Sequence, residues 1–290
     1  MSVNSLDSHW HQMLMENLDI LYPKGRVPVI LPFNDQEELR KRLFNRNLKR
    51  LLTYKTPVFV TGPKGAGKEY WARYIHSNGT MKNGPFVIVD TEFVPPSFLD
   101  FYLFGSTKIS SQKNEETSYP KASKIRQAFG GTLYLTEAVT LPYVVQKKLY
   151  QLVQRRPGED AKQDAQPMRL ILGSRHDLNF IAERKLLLRE FFYRVSIYSL
   201  RLGPLKSRLD NIPALVSVFT KLYSHVLKKS LMIASADVLQ ILREHTWPGN
   251  IDELREVIFE SVKRAEKGEK ILLRRHLPQK FWYRMKGPIS

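Results

Sequence analysis

Residues 57–69 read Pro57-Val58-Phe59-Val60-Thr61-Gly62-Pro63-Lys64-Gly65-Ala66-Gly67-Lys68-Glu69. The apolar run at 57–61 is a short buried-strand pattern. It enters a glycine-rich turn, and the turn leads into a helix expected from about Lys68 to Ser77. Strand, glycine loop and helix in that order make a phosphate cradle. Glycines let backbone N–H groups curl around phosphate oxygens with no side chain between them. The helix N-terminus adds partial positive charge, and Lys68 is placed to reach the β- and γ-phosphates. Gly62, Pro63, Lys64, Gly65, Ala66, Gly67, Lys68 and Glu69 are therefore the candidate nucleotide-binding residues. The usual pattern ends with Ser or Thr after the lysine, where a hydroxyl meets Mg2+. Glu69 stands there instead. A glycine turn carrying one surface lysine is the competing reading.

The flanking sequence repeats the strand–helix theme. Strands are predicted at 85–90 (PFVIVD), 132–136 (TLYLT), 168–173 (MRLILG) and 195–200 (VSIYSL). Helices are predicted over Pro96 to Phe104 and Leu141 to Gln154, with a polar loop from Ser106 to Lys121 between them. Upstream, Leu39, Leu43, Leu48 and Leu51 recur at helical spacing, which predicts an amphipathic helix from Asp35 to Leu52. Short apolar strands alternating with helices imply an α/β fold, a doubly wound parallel sheet covered on both faces. After Gly203-Pro204 the pattern becomes helical only, over Asn211 to Lys229, Ser235 to His245 (Ser235 as N-cap) and Asn250 to Glu266. The expected organisation is an N-terminal arm at 1–33, an α/β nucleotide-binding subdomain at 34–203, a small all-α subdomain at 204–280 and a C-terminal tail at 281–290.

Composition narrows the function classes. The chain has 290 residues, 42% of them hydrophobic, enough for a substantial core. It has no cysteine, which excludes disulfides, thiolate metal sites and cysteine nucleophiles. Its seven histidines show no metal-ligand spacing, so no protein metal site is assigned. His9 and His11 read as solvated, and His76 as structural. There is no Gly-x-Ser-x-Gly elbow to suggest a serine hydrolase. The N-terminus lacks signal-peptide order, and no apolar run approaches the roughly 20 residues of a membrane helix. The expectation is a cytoplasmic protein without membrane contact. The net charge of +18 favours polyanions: nucleotide phosphates, nucleic acid gripped without sequence choice, or an acidic protein face. A merely solvated basic surface is the alternative.

Taken together, the motifs at 34–280 resemble the AAA+ domain of bacterial enhancer-binding proteins, which activate sigma-54 RNA polymerase. Gly-Lys-Glu at 67–69 is typical of that family. Leu103-Phe104-Gly105, Gly130 to Leu135, Met168 to Leu178, Phe192-Tyr193-Arg194 and Trp247-Pro248-Gly249-Asn250-Ile251 match its other motifs in family order. The resemblance implies ATP or ADP as ligand, Mg2+ as a possible companion, Glu137 preparing the attacking water, and Arg194 as an arginine finger. It also implies self-assembly into a ring, or assembly with an active relative. The family's small subdomain is a helical lid.

The departures bear on hydrolysis. The second nucleotide motif of the family ends Asp-Glu, but here it is Thr136-Glu137. The family's strand-two Asn aligns with Asp90, its sensor Asn with Arg175, its sensor Arg with Asp252, and its second finger Arg with Leu188, beside Arg189. The sigma-54-contacting Gly-Ala-Phe-Thr-Gly-Ala loop has no counterpart in Ser106 to Pro120. A threonine hydroxyl is neutral where a charged metal contact is expected. Loss of one such contact typically costs about 10²-fold or more in rate. The expectation is an ATP-binding, transcription-regulating degenerate member, a pseudo-ATPase with weak or lost hydrolysis. Bound nucleotide would then stabilise the fold by about 2.7 kcal/mol at a hundredfold excess over Kd. The rivals are an active ATPase and a non-enzymatic interaction or DNA-binding scaffold.

Overall fold

The computed structural model describes residues 48–105, 123–154 and 168–285. The expected arm at 1–33, most of the helix over 35–52 and the polar loop at 106–121 lie outside them. Residues 48–202 and 203–285 fall into two compact units, each with its own core.

The first unit is built on a five-stranded sheet of β1 (Val58–Thr61), β2 (Phe86–Val89), β3 (Thr132–Leu135), β4 (Arg169–Ser174) and β5 (Ser199–Arg201). The strand order is β2-β3-β4-β1-β5, and every neighbouring pair is parallel. A parallel strand covered on both faces reads as a near-continuous hydrophobic run, buried along its length. β1 satisfies this, with all four residues of Val-Phe-Val-Thr buried. The crossovers carry α1 (Lys68–Ser77), α2 (Pro96–Phe104), α3 (Lys124–Gln127), α4 (Tyr143–Gln154), α5 (Leu178–Glu183) and α6 (Arg189–Val195). Leu99, Leu103, Val145 and Leu149 on α2 and α4 pack with Leu133 and Leu170 of the sheet. The residues before β1 that are described, 48–53, are helical, and Leu48 and Leu51 are buried.

The fifth strand differs from its predicted place. Val195 is the buried last residue of α6, and the strand begins only at Ser199. The apolar character of Val195 serves helix packing, so the hydrophobic run at 195–200 joins two elements rather than filling one.

The second unit contains α7 (Ile212–Val226), α8 (Ala236–Glu244), α9 (Asn250–Arg264) and α10 (Gln279–Met285). Leu215, Phe219, Val238, Leu254, Ile258 and Trp247 share its core. It is not helical only: β6 (Ile233–Ala234) and β7 (Ile271–Leu272) pair in parallel. The expected tail at 281–290 also begins too early, because Phe281 is buried in α10 and its ring stacks 5.9 Å from that of Trp247. Ser235 does occupy the N-cap of α8, but its hydroxyl bonds the Asp237 carboxylate rather than a backbone N–H. Two side-chain hydrogen bonds fix the turn at 247–250. Trp247 Nε1 donates to Leu242 O at 2.8 Å, and Asn250 Oδ1 accepts from the Leu205 N–H at 2.8 Å.

Candidate nucleotide site

The glycine loop lies between the C-terminal end of β1 and α1. Gly65 and Gly67 have φ of 73° and 91°, left-handed values that glycine adopts without steric cost. Gly67 is the N-cap of α1 and brings no side chain to close that helix end. Gly62 is needed for space, since a Cβ there would sit 2.7 Å from the Leu202 carbonyl oxygen. Lys68 folds back over the loop, its Nζ donating to Gly62 O at 2.8 Å and Pro63 O at 3.2 Å. The ammonium is thus held beside the concavity. Glu69 pairs with Arg73 one turn along the helix, at 2.8 Å.

Glu137 follows β3 and is 3% exposed. Ser174 Oγ donates to its Oε1 at 2.6 Å, and the Arg175 N–H donates to its Oε2 at 2.9 Å. Arg175 Nε stands 3.4 Å from the same Oε2. The backbone of Glu137 is fixed by Thr91, whose hydroxyl donates to the Glu137 carbonyl at 2.8 Å. Thr136 Oγ1 donates to Asp90 Oδ1 at 3.0 Å, so the neutral hydroxyl of 136 has a carboxylate beside it. Buried Tyr134 is raised well above an ordinary phenol, first by desolvation and then by the negative charges of Glu69, Glu137 and Asp90. Asp90 and Glu137 follow the neighbouring strands β2 and β3, at the same end of the sheet.

The structure brings the loop and Glu137 together through a residue not singled out from sequence. Ser174 ends β4, which lies between β1 and β3. Its carbonyl accepts from the Gly62 N–H at 3.0 Å, while its hydroxyl reaches Glu137. Arg194 is engaged elsewhere: its Nε and Nη2 donate to the Val153 carbonyl, at 3.1 and 3.0 Å, near the end of α4. Arg189 lies over the Tyr193 ring, 5.8 Å from its centre. His76 packs at the far end of α1 with Nδ1 2.9 Å from Thr132 Oγ1, a buried structural contact.

Among the described residues no group of three or more His, Cys, Asp and Glu side chains is placed to hold a metal. Mg2+ needs less than that, because it keeps several waters and takes its remaining oxygens from one or two carboxylates and from nucleotide phosphates. Asp90 with Thr136 fits such a partial donor set.

Comparison with known proteins bears directly on this arrangement. A family profile described as the sigma-54 interaction domain matches residues 35–201, and one described as the AAA+ ATPase lid domain matches residues 206–288. The chain is 30% identical to the DNA-binding transcriptional regulator NtrC of Rhizobium meliloti, over 73% of this chain and 44% of that protein. It is 31% identical to the transcriptional activator RocR of Bacillus subtilis, over 83% of this chain and 51% of that protein. The chain thus spans about half the length, or less, of these curated relatives. In fold it is similar to NtrX of Brucella abortus, crystallised in complex with ATP. The TM-score is 0.65 at 24% identity, covering 92% of this chain and 60% of NtrX.

Proposed function

Because the chain belongs to the sigma-54 interaction domain family and carries that family's AAA+ lid, we propose that it binds ATP or ADP through residues 62–69 and turns the nucleotide over slowly, as a module of transcription regulation. The observation that carries this is the loop itself. Two left-handed glycines, a helix opening at a glycine, and an ammonium folded 2.8 Å from the Gly62 carbonyl make a cradle suited to phosphate oxygens. Crystallised NtrX–ATP supports the choice of ligand. A nucleotide-binding part at 34–203 and a lid that runs from 204 through the buried Phe281 of α10 are the proposed working division.

Slow turnover follows from the groups around the cradle. Phosphoryl transfer depends on positioning and on charge stabilisation. Mg2+, when bound, neutralises charge developing on the phosphates. Asp90 and Thr136 would hold it, one carboxylate and one neutral hydroxyl. Glu137 is the candidate to prepare water, but its carboxylate is already engaged by Ser174 and Arg175. Arg194, the candidate finger, is engaged by the Val153 carbonyl. Ring assembly, or assembly with an active relative, would be the setting in which Arg194 reaches a neighbour's nucleotide. One observation favours the active-ATPase reading: Asp90 stands 3.0 Å from Thr136 Oγ1, so a carboxylate is present at that strand end.

Titration calorimetry with ATP and ADP tests binding directly. Heat is expected with both nucleotides and is expected to vanish in Lys68→Ala, while the circular dichroism spectrum is retained. Silence with every purine nucleotide would end the proposal. Brisk Mg2+-dependent phosphate release by the same preparation would instead select the active-ATPase reading.

A further inference from the structure

Thr132, Tyr134 and Thr136 alternate along β3 and the residue that follows it, where the Thr136 N–H donates to Val89 O at 3.1 Å and continues the ladder. Residues two apart on a strand share one face of the sheet. Thr132 meets His76 of α1, so this is the face that α1 covers. Tyr134 stands in the middle of it and is 2% exposed. Its ring stacks on that of Phe86 in β2, with centroids 6.5 Å apart and planes 20° from parallel.

Gly173 of β4 marks where the phenol ends, since a Cβ there would lie 2.8 Å from the Tyr134 hydroxyl. The register pairs Tyr134 with Ile171, so Gly173 is two residues further along, toward the strand end that faces the glycine loop. On its other side Gly173 pairs with Val60 of β1, two residues before Gly62. The hydroxyl thus reaches from β3 toward the loop-bearing end of the sheet. Its electrostatic surroundings agree: after desolvation, the negative charges of Glu69, Glu137 and Asp90 raise its pKa. At neutral pH the oxygen is therefore an uncharged donor and acceptor. Burying a hydroxyl costs free energy unless it is hydrogen-bonded, and phenylalanine would fill the same space without that cost.

The position after Lys68 lacks such an oxygen. Glu69 stands where a hydroxyl usually meets Mg2+, and its carboxylate pairs with Arg73 at 2.8 Å. Asp90 and Thr136 offer one carboxylate and one hydroxyl. Mg2+ keeps several of its waters when it binds with nucleotide, and those waters need hydrogen-bond partners. We propose that the Tyr134 hydroxyl supplies the missing uncharged oxygen, holding a water of the Mg2+ that accompanies the nucleotide and so favouring metal-bound over metal-free ATP. This role rests on the nucleotide binding proposed above. Tyr134 is a positioning residue: it acts through a bound water and not on the phosphates.

The test uses the 290-residue chain and Tyr134→Phe, which removes one oxygen and keeps the stacked ring. Calorimetry reads ATP affinity twice for each protein, once with Mg2+ and once with EDTA. In the parent, Mg2+ is expected to tighten ATP binding. Tyr134→Phe is expected to weaken binding with Mg2+ about three- to tenfold, the range one net hydrogen bond supplies, and to leave binding in EDTA unchanged. A hydroxyl that serves packing alone would weaken both arms alike, and that result overturns the proposal. Unchanged affinity in both arms overturns it as well, as does a parent affinity indifferent to Mg2+. Absence of ATP binding by the parent in both arms overturns the nucleotide-binding function itself, and the role of Tyr134 with it.

Discussion

His76 is the side chain whose environment makes the clearest pH prediction. It is buried against Thr132, and its pKa lies below the ordinary histidine value, first through desolvation and then through the positive charges of Arg73 and Arg169. The folded protein thus favours neutral imidazole. Its contribution to stability is complete above the unfolded pKa of about 6.5 and is lost as pH falls through the lower folded value. Thermal melts should show a drop between pH 7.5 and 5 that is smaller in His76→Gln; an unchanged drop would assign it to other groups. At this level the sequence was readable where residue types are distinctive. Gly65, Gly67 and Lys68 carry the spacing of a phosphate loop, and the structure forms the left-handed turn and helix start that this spacing predicts. Ser174 carries no such signal, because a serine at the end of an apolar strand has no pattern of its own. Its position between loop and Glu137 comes from strand order, which spacing along the chain does not encode.

The strands and helices were legible to the extent that one element matched one hydrophobic run. β1 to β4, α1, α2 and α4 each fill such a run. The run at 195–200 failed because its first residue belongs to a helix, and β6 and β7 were missed because two residues carry no periodicity. Close approach of backbones is another feature with little sequence signal. A Cβ on Gly131 would lie 1.9 Å from the Pro85 carbonyl oxygen, at the entry to the β2–β3 pair. The Thr132 N–H donates to that same carbonyl at 2.8 Å. Gly131→Ala must therefore push the two strand starts apart, a form of overpacking that costs about 1–3 kcal/mol or more. Differential scanning calorimetry is expected to show a melting point lower by several degrees, at about 2–4 °C per kcal/mol for a unit of this size. A melting point within one degree or so of the parent would show that the pair absorbs the methyl group.

Charge and topology are properties of the chain taken as one object. The surplus of 46 Lys plus Arg over 28 Asp plus Glu leaves +18. Binding to duplex DNA of arbitrary sequence is expected at low salt and should weaken steeply as salt rises, by a log–log slope of about −0.9 for each phosphate neutralised. Fluorescence anisotropy at several salt concentrations checks this, and no binding at about 50 mM salt would confine the basic surface to solvation. Topology has a different consequence. β1, which presents the glycine loop, has as its two neighbours β4 and β5, whose paired residues lie at 171–174 and 199–201. Gly62 also packs on Leu202 and is bonded by Ser174. During synthesis on the ribosome the loop stays without its walls until residue 202 has cleared the exit tunnel. Nucleotide can therefore assist folding of the first unit only once β5 has emerged, and a nascent chain stalled before β5 offers an unpaired apolar strand edge to chaperones or aggregation.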